Sequence, residues 1–473
     1  MTAVDMAHAA RESIADFTGR LIGPSDADYD DARRVYNAMI DRRPALVARV
    51  QTEADISSAV RFARDRELRL AVRGGGHNGA GSGTVDDGVV IDLGALRDVT
   101  VDPQARTVRV GGGATWGEVD RATNAHGMAT PSGIISTTGV GGLTLGGGLG
   151  HLTRKCGLAI DNVLEAEMVL ASGEQVQVSA EKHSDLYWAI RGGGGNFGIV
   201  TSFLFRLHDV DTVVAGPTFW PVEQSTEVLS VYREFLPNAP RELNGFFAFH
   251  TLPPSPAFPA ELHLHDICGV VWCYVGSDTD AAGQAMAPFL DALPEPLLHG
   301  PAPVPHPAIQ GAFDELYPRG HQWFWRADFV TDIPDPAVAL HAHYGQQMPR
   351  PTSTLQTPTL KSTMHLYPVD GAAHDVGTSD TAWSYREANW GTVYAGVDPD
   401  PANSDEIRTW TVDYFEALHP YSAGGAYVNM MMDEGPERVR ASYRDNYDRL
   451  AQIKAEYDPD NVFNVNQNIA PAK

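Results

Sequence analysis

Leu68–Gly81 reads LRLAVRGGGHNGAG, and the fold turns on how this stretch is read. An apolar, strand-like run (Leu68, Leu70, Val72) empties into Gly74, Gly75 and Gly76, and His77 follows at once. With Gly79 and Gly81 added, one side of the loop lacks every Cβ, so its amide groups can approach a ligand and form an anion-binding concavity. Gly74-x-Gly76-x-x-Gly79 matches the dinucleotide fingerprint in form. That fingerprint must open directly into a helix whose N-terminus receives the pyrophosphate. Here the chain continues SGTVDDGVVIDL, with more glycine, a turn and a second strand at 89–93, which argues against a Rossmann site. A glycine-rich hairpin with an incidental histidine stays open at this point.

Two further clusters change the balance. Thr137–Gly150 reads TTGVGGLTLGGGLG, and Arg191–Gly198 reads RGGGGNFG. One cluster is a turn; three, each beside an apolar run, suggest one long phosphate-bearing ligand lying against several loops. Four motifs occur in order: RGGGHN (73–78), PSGIISTTGVGGLTLGGGLGHLTRKCGLAIDNV (131–163), DLYWAIRGGGGNFGIVT (185–201) and YDPDNVFNVNQNI (457–469). Together they resemble the FAD-linked oxidases of the vanillyl-alcohol oxidase superfamily. The likeness is to the berberine-bridge-like branch, including its bacterial 6-hydroxy-D-nicotine oxidase-like members, and it covers nearly the whole chain.

The resemblance implies an α+β, two-domain vanillyl-alcohol oxidase-type FAD-binding fold with an antiparallel-sheet substrate cap. It places the FAD domain at 1–213 (core 44–208), the cap at 214–428, and a segment at 429–473 that returns to complete the FAD domain. Local patterns agree. Thr52-x-x-Asp55 and Thr115-x-x-Glu118 read as capping boxes, the first followed by Ile56, Ala59, Val60 and Ala63 on one helical face. Residues 1–43 read as a polar lead-in. The middle segment is proline-rich, with alternating runs such as GHQWFWRADFV. Glu437–Tyr457 reads as one helix with Val439, Tyr443, Leu450 and Ile453 inward.

The family's histidine in this motif is the covalent flavin attachment point, and His77 matches it. The attack on the flavin 8α-methyl needs an unprotonated, rigidly held imidazole, which a glycine-walled loop can provide. Many members carry a second link from a cysteine. Aligned on GVGG, that place is Ile135, while Cys156 lies downstream, so one covalent bond is expected. The remaining cofactor contacts implied are Arg73, Gly74, Gly75, Gly76, Asn78, Gly79, Gly81, Thr137, Thr138, Gly139, Gly141, Gly142, Gly146, Gly147, Gly150, His151, Gly198, Val200, Asn466 and Asn468. Amide groups carry most of the pyrophosphate charge in this reading, with Arg73 as a possible helper or else a surface residue. Asn466 and Asn468 are otherwise polar tail residues.

For chemistry, Thr138 takes the position beside the flavin that influences oxygen access. The family's tyrosine base follows the asparagine of an AYxNY-type strand. Here AYVNMMMD puts Met430 there, so Tyr427 is carried as a base or else a core tyrosine. On a strand it would face away from position 430, so Tyr427→Phe is expected to cost about tenfold or less, roughly 1.4 kcal/mol on the barrier. Asn429 is read as a hydrogen-bonding residue to flavin or substrate. His365 and Tyr367 alternate in MHLYP and share a face. Trp323 and Trp325 read equally as core or as an aromatic substrate wall. His263-x-His265 and His341-x-His343 each put two imidazoles on one strand face without a nearby carboxylate or cysteine, so no metal is expected.

The activity implied is hydride removal from a C–H next to oxygen or nitrogen of a small molecule, with O2 reduced to H2O2. A dehydrogenase using another acceptor, or a flavin-binding protein without turnover, are the alternatives. The formal charge is −25, with thirty Arg and five Lys, which argues against nucleic acid or an anionic membrane as partner. Three cysteines (Cys156, Cys268, Cys273) make no disulfide framework, and the first residues lack a basic stretch followed by an apolar run. A cytoplasmic location is the expectation.

Overall fold

The computed structural model describes residues 3–14, 16–350, 359 and 361–473. Among these, a four-stranded sheet sets Leu46–Arg49 and Leu70–Arg73 parallel to, and on either side of, Val89–Asp92. Arg20–Ile22 adds to its edge, antiparallel to Leu46–Arg49, so this part of the expected lead-in is a strand of the first sheet. Thr52 accepts from Asp55 N while Asp55 accepts from Thr52 N, and this box starts the helix Glu53–Arg64. Its Ile56, Ala59, Val60 and Ala63 are fully buried. Glu118 accepts from Thr115 N (2.8 Å) at the start of Trp116–Asn124.

A second, antiparallel sheet runs Val99–Asp102, Thr107–Gly111, Ile199–Arg206, Val163–Val169, Gln175–Ser179. The second glycine cluster lies beside it and folds as a short helix, Val140–Gly146. A third sheet of eight antiparallel strands occupies 212–398 among the described residues. Its period-2 alternation sorts two cores: Phe247, Phe249 and Trp272 face the helices Ser225–Phe235 and Ser404–Leu418, while Phe246, Trp323, Trp325 and Tyr367 face the glycine-rich half. Cys268 and Cys273, five apart on one strand, fall into these opposite cores.

The end of the chain packs back on the second sheet. Val439, Tyr443, Leu450 and Ile453 share a core with Val108, Val110 and Phe203. The single helix expected there is two, Pro436–Tyr443 and Asn446–Tyr457, parted by Arg444 at φ +46°. Other local readings change as well. AYVNMMMD is a one-turn 3-10 helix at Val428–Met430, so the strand argument for its side chains does not apply. His341 and His343 lie on the helix Asp335–Gly345, where a spacing of two does not share a face. His263 follows a turn and engages the carbonyls of Ser255 and Phe258. Among the described residues no three His, Cys, Asp or Glu side chains gather as a metal site, and no helix is long and apolar enough to cross a membrane.

Candidate active site

The four-, five- and eight-stranded sheets all contribute residues to one cavity between the glycine-rich half and the cap sheet, about 2010 Å³ counting the solvent at its open mouth. Two glycine loops meet at its floor. A Cβ on Gly75 would lie 2.4 Å from Gly139 N, and one on Gly139 would lie 2.3 Å from Gly75 N. Backbone therefore touches backbone, and only glycine fits at either place. Among the described residues, none accepts a hydrogen bond from the amides of Gly74, Gly75, Gly76, His77 or Asn78. Five adjacent donors facing a cavity without a carboxylate in its lining form an anion cradle.

The cavity wall includes Arg73, Gly74, Gly75, Gly76, His77, Asn78, Thr138, Gly139, Gly141, Gly142, Gly198, Val200 and Asn466 of the expected cofactor contacts. Thr137 stands just behind it, with Oγ1 3.1 Å from His77 Nε2. The other expectations move elsewhere. Arg73 lines the cavity, but its guanidinium is engaged by the protein, donating to Asp92 Oδ2 (2.9 Å) and Ala32 O (2.6 Å). A Cβ on Gly79 would strike the Trp325 ring, on Gly81 Ile40, on Gly146 Asn429, and on Gly147 Trp383. One on Gly150 would strike the Ser132 and Gly133 carbonyls. These five glycines let protein segments close on one another and do not line the cavity. His151 is buried behind the wall against Phe246, its pKa lowered by burial to about 3, and Asn468 also lies outside the lining.

His77 sits where strand Leu70–Arg73 releases the chain. Tyr36 stacks on its ring (centroids 4.1 Å apart, 22° between planes) and donates through Oη to Tyr317 O (2.6 Å). Burial, aided by the Arg319 charge, lowers the imidazole pKa to about 3, so His77 is neutral across the physiological range. The returning tail supplies Tyr427, Asn429 and Met430. Tyr427 Oη accepts from Gly148 N (3.0 Å) and Asn429 Nδ2 (2.8 Å), and burial pushes its pKa up to about 12. Asn429 Nδ2 also donates to Leu143 O (3.0 Å), leaving its carbonyl oxygen as the atom it can offer a ligand. Opposite stand Trp323 and Trp325, ring centroids 6.0 Å apart, which are at once core and cavity wall.

An FAD fits what is present. The amide cradle suits a pyrophosphate, and Tyr443 Oη and Asn466 Oδ1, on lining residues, have no partner among the described residues. Sequence reasoning missed Tyr36, Tyr317, Tyr443 and Gln467. Only the last carried a signal, its place within the NQN tail.

Comparison with known proteins agrees with the geometry. Residues 44–179 match the family model for an FAD binding domain, and residues 426–470 match the berberine and berberine-like model. The FAD-linked oxidoreductase pgmH of Aspergillus terreus is 30% identical over 477 residues, covering 95% of this chain and 92% of that protein. (R)-6-hydroxynicotine oxidase of Paenarthrobacter nicotinovorans is 36% identical over 203 residues, 43% of this chain and 44% of the other. Among solved structures, 6-hydroxy-D-nicotine oxidase from Arthrobacter nicotinovorans superposes with a TM-score of 0.84 at 25% identity, covering 97% of this chain and 100% of that one. With this cavity and these relatives, the chain belongs to the berberine-bridge-like family of FAD-linked oxidoreductases.

Proposed function

We propose that the protein is a covalent FAD oxidase, with the flavin joined to His77, acting on a C–H next to oxygen or nitrogen of a small-molecule substrate. The observation that carries this reading is His77 itself: neutral, stacked on Tyr36, in contact with Thr137 Oγ1, and set within the amide cradle. When bound, FAD supplies the two-electron acceptor and the route to O2, which leaves as H2O2. The chain's part is to hold and orient. The glycine loops take the pyrophosphate charge, and Trp323 and Trp325 with the cap sheet shape the substrate side and exclude water. Oxygen uptake with stoichiometric peroxide, across a panel of alcohols, sugars and cyclic amines, tests the reading. Turnover only with an artificial acceptor would make it a dehydrogenase; flavin without turnover in either assay would leave a binding protein.

A single attachment is expected. Ile135 lines the cavity, whereas Cys156 does not, and burial raises its thiol pKa to about 11, so it is a poor nucleophile as well as a distant one. Peptide mapping should find flavin mass on the His77 peptide alone; an adduct on the Cys156 peptide would overturn this.

Tyr427→Phe is expected to lower turnover about tenfold or less, roughly 1.4 kcal/mol on the barrier. The reason lies in its lone pairs rather than in strand facing. Both are occupied by Gly148 N and Asn429 Nδ2, so the phenol is placed to donate its proton to a ligand, not to take one. A loss of several thousandfold with flavin content intact would show that Tyr427 is the base.

A further inference from the structure

Hydride removal from an alcohol also requires somewhere for the hydroxyl proton to go, and the cavity has no carboxylate to receive it. Its ionisable side chains are few. His77 is committed to the flavin in the reading above, and Arg73 to Asp92. Tyr36 is held by the Tyr317 carbonyl and Tyr427 by two N–H donors, while the Tyr317 and Tyr443 hydroxyls have no acceptor among the described residues. Tyr367 differs. Its Oη lies 2.5 Å from His365 Nδ1, and both residues line the cavity from one strand, Thr363–Pro368.

Proton positions follow from the neighbours. Thr363 Oγ1 donates to Phe249 O (2.7 Å), so at its contact with His250 Nδ1 (3.1 Å) the imidazole must be the donor. His250 therefore presents a bare lone pair at Nε2. Between a phenol and a neutral imidazole the stronger acid donates, so Tyr367 Oη–H points at His365 Nδ1 and His365 carries its own proton on Nε2. The Nε2 atoms of both histidines have no partner among the described residues, and the rings meet edge-on with centroids 5.1 Å apart. Tyr367, His365 and His250 thus stand in a row: Tyr367 donates to His365 Nδ1, and the His365 ring packs against the His250 ring with no hydrogen bond between their Nε2 atoms. Around it stand Tyr317, Phe246 and Phe313, with no charged group among the residues stacked on these rings.

We propose that Tyr367 is the catalytic base, that His365 is the positioning residue which receives the phenol's proton, and that the site is therefore built for an alcohol rather than an amine. The proposal rests on the flavin-oxidase reading of the cavity. The substrate O–H proton passes to Tyr367 Oη while the phenol's proton passes to His365 Nδ1. The O–H electron pair becomes the second C–O bond, and the C–H pair leaves as hydride toward the flavin. The alcohol loses two electrons and two hydrogens. The proton passed to His365 and the one carried with the hydride would make up the two that H2O2 contains; burial holds the His365 pKa well below the ordinary imidazole value, so the ring takes the proton only in passing. An amine needs none of this, since its nitrogen lone pair expels hydride without first losing a proton.

The test is anaerobic flavin reduction of wild type, Tyr367→Phe and His365→Gln holoenzymes by D-glucose, D-xylose, 4-hydroxybenzyl alcohol and N-methylpyrrolidine. Tyr367→Phe is expected to slow reduction by an alcohol about 10²–10³-fold, the usual worth of a general base. Flavin content should stay equal and the alcohol's dissociation constant should move less than about threefold, since a base acts in the transition state. His365→Gln should slow it similarly and remove the solvent deuterium isotope effect, because glutamine can hold the phenol's hydrogen bond but cannot take its proton. Equal alcohol rates in wild type and Tyr367→Phe overturn the proposal. So does a wild-type flavin that the amine reduces and no alcohol does. Photoreduction followed by exposure to O2 checks the oxidase reading alone: slow reoxidation of wild type would end that reading without bearing on which residue takes the proton.

Discussion

Acid-precipitated wild-type protein is expected to keep its flavin absorbance in the pellet, and His77→Ala to release all of it to the supernatant. The contrast is all-or-none because a covalent bond survives denaturation and a set of hydrogen bonds does not. The substitution removes the nucleophile but leaves the amide cradle, which is backbone from Gly74 to Asn78. His77→Ala should therefore still bind FAD when folded. Wild type that yields free FAD on denaturation would refute the attachment while leaving the cradle untouched.

Gly75→Val is expected to cut bound flavin below about a tenth of the protein, a consequence of overpacking worth about 1–3 kcal/mol at the loop that holds the cofactor. Its Cβ would lie 2.4 Å from Gly139 N, and the neighbour that must yield is backbone, not the end of a flexible side chain. Gly283→Ala is the control, since a Cβ there meets nothing within 4 Å. The ratio of visible to ultraviolet absorbance reads the outcome. Full flavin content in Gly75→Val would mean the two loops are free to part, and the floor of the cavity would have to be redrawn.

The parts legible in the sequence were those written in short-range chemistry. A strand emptying into three glycines and a histidine gives the cradle, and Thr52 and Thr115 start their helices as their spacing says. His365 and Tyr367 share a face because strand period is fixed by the backbone. What could not be read depended on distant partners. Gly79 and Gly81 look like further cradle, yet their missing side chains make room for Trp325 and Ile40. Arg73 looks free until Asp92, a strand away, claims it. His151 sits in a glycine motif, but the chain has by then turned into the core. AYVNMMMD reads as a strand through the family likeness alone, and it folds as a turn at Val428–Met430. Tyr36, in a stretch with no pattern, reaches His77 because its own amide donates to Gly76 O (2.9 Å), one residue before the histidine.

The returning tail sets an order of events in biosynthesis. The cavity needs Tyr427, Asn429, Asn466 and Gln467 for one wall, and His77 for another. These are separated by most of the length of the polypeptide. A ribosome delivers them many seconds apart, at roughly 5–20 residues per second. The nascent chain therefore exposes the histidine long before a pocket exists around it. Flavin must join a finished fold rather than an emerging one, so an apo-protein pool precedes the holoenzyme in every cell that makes it.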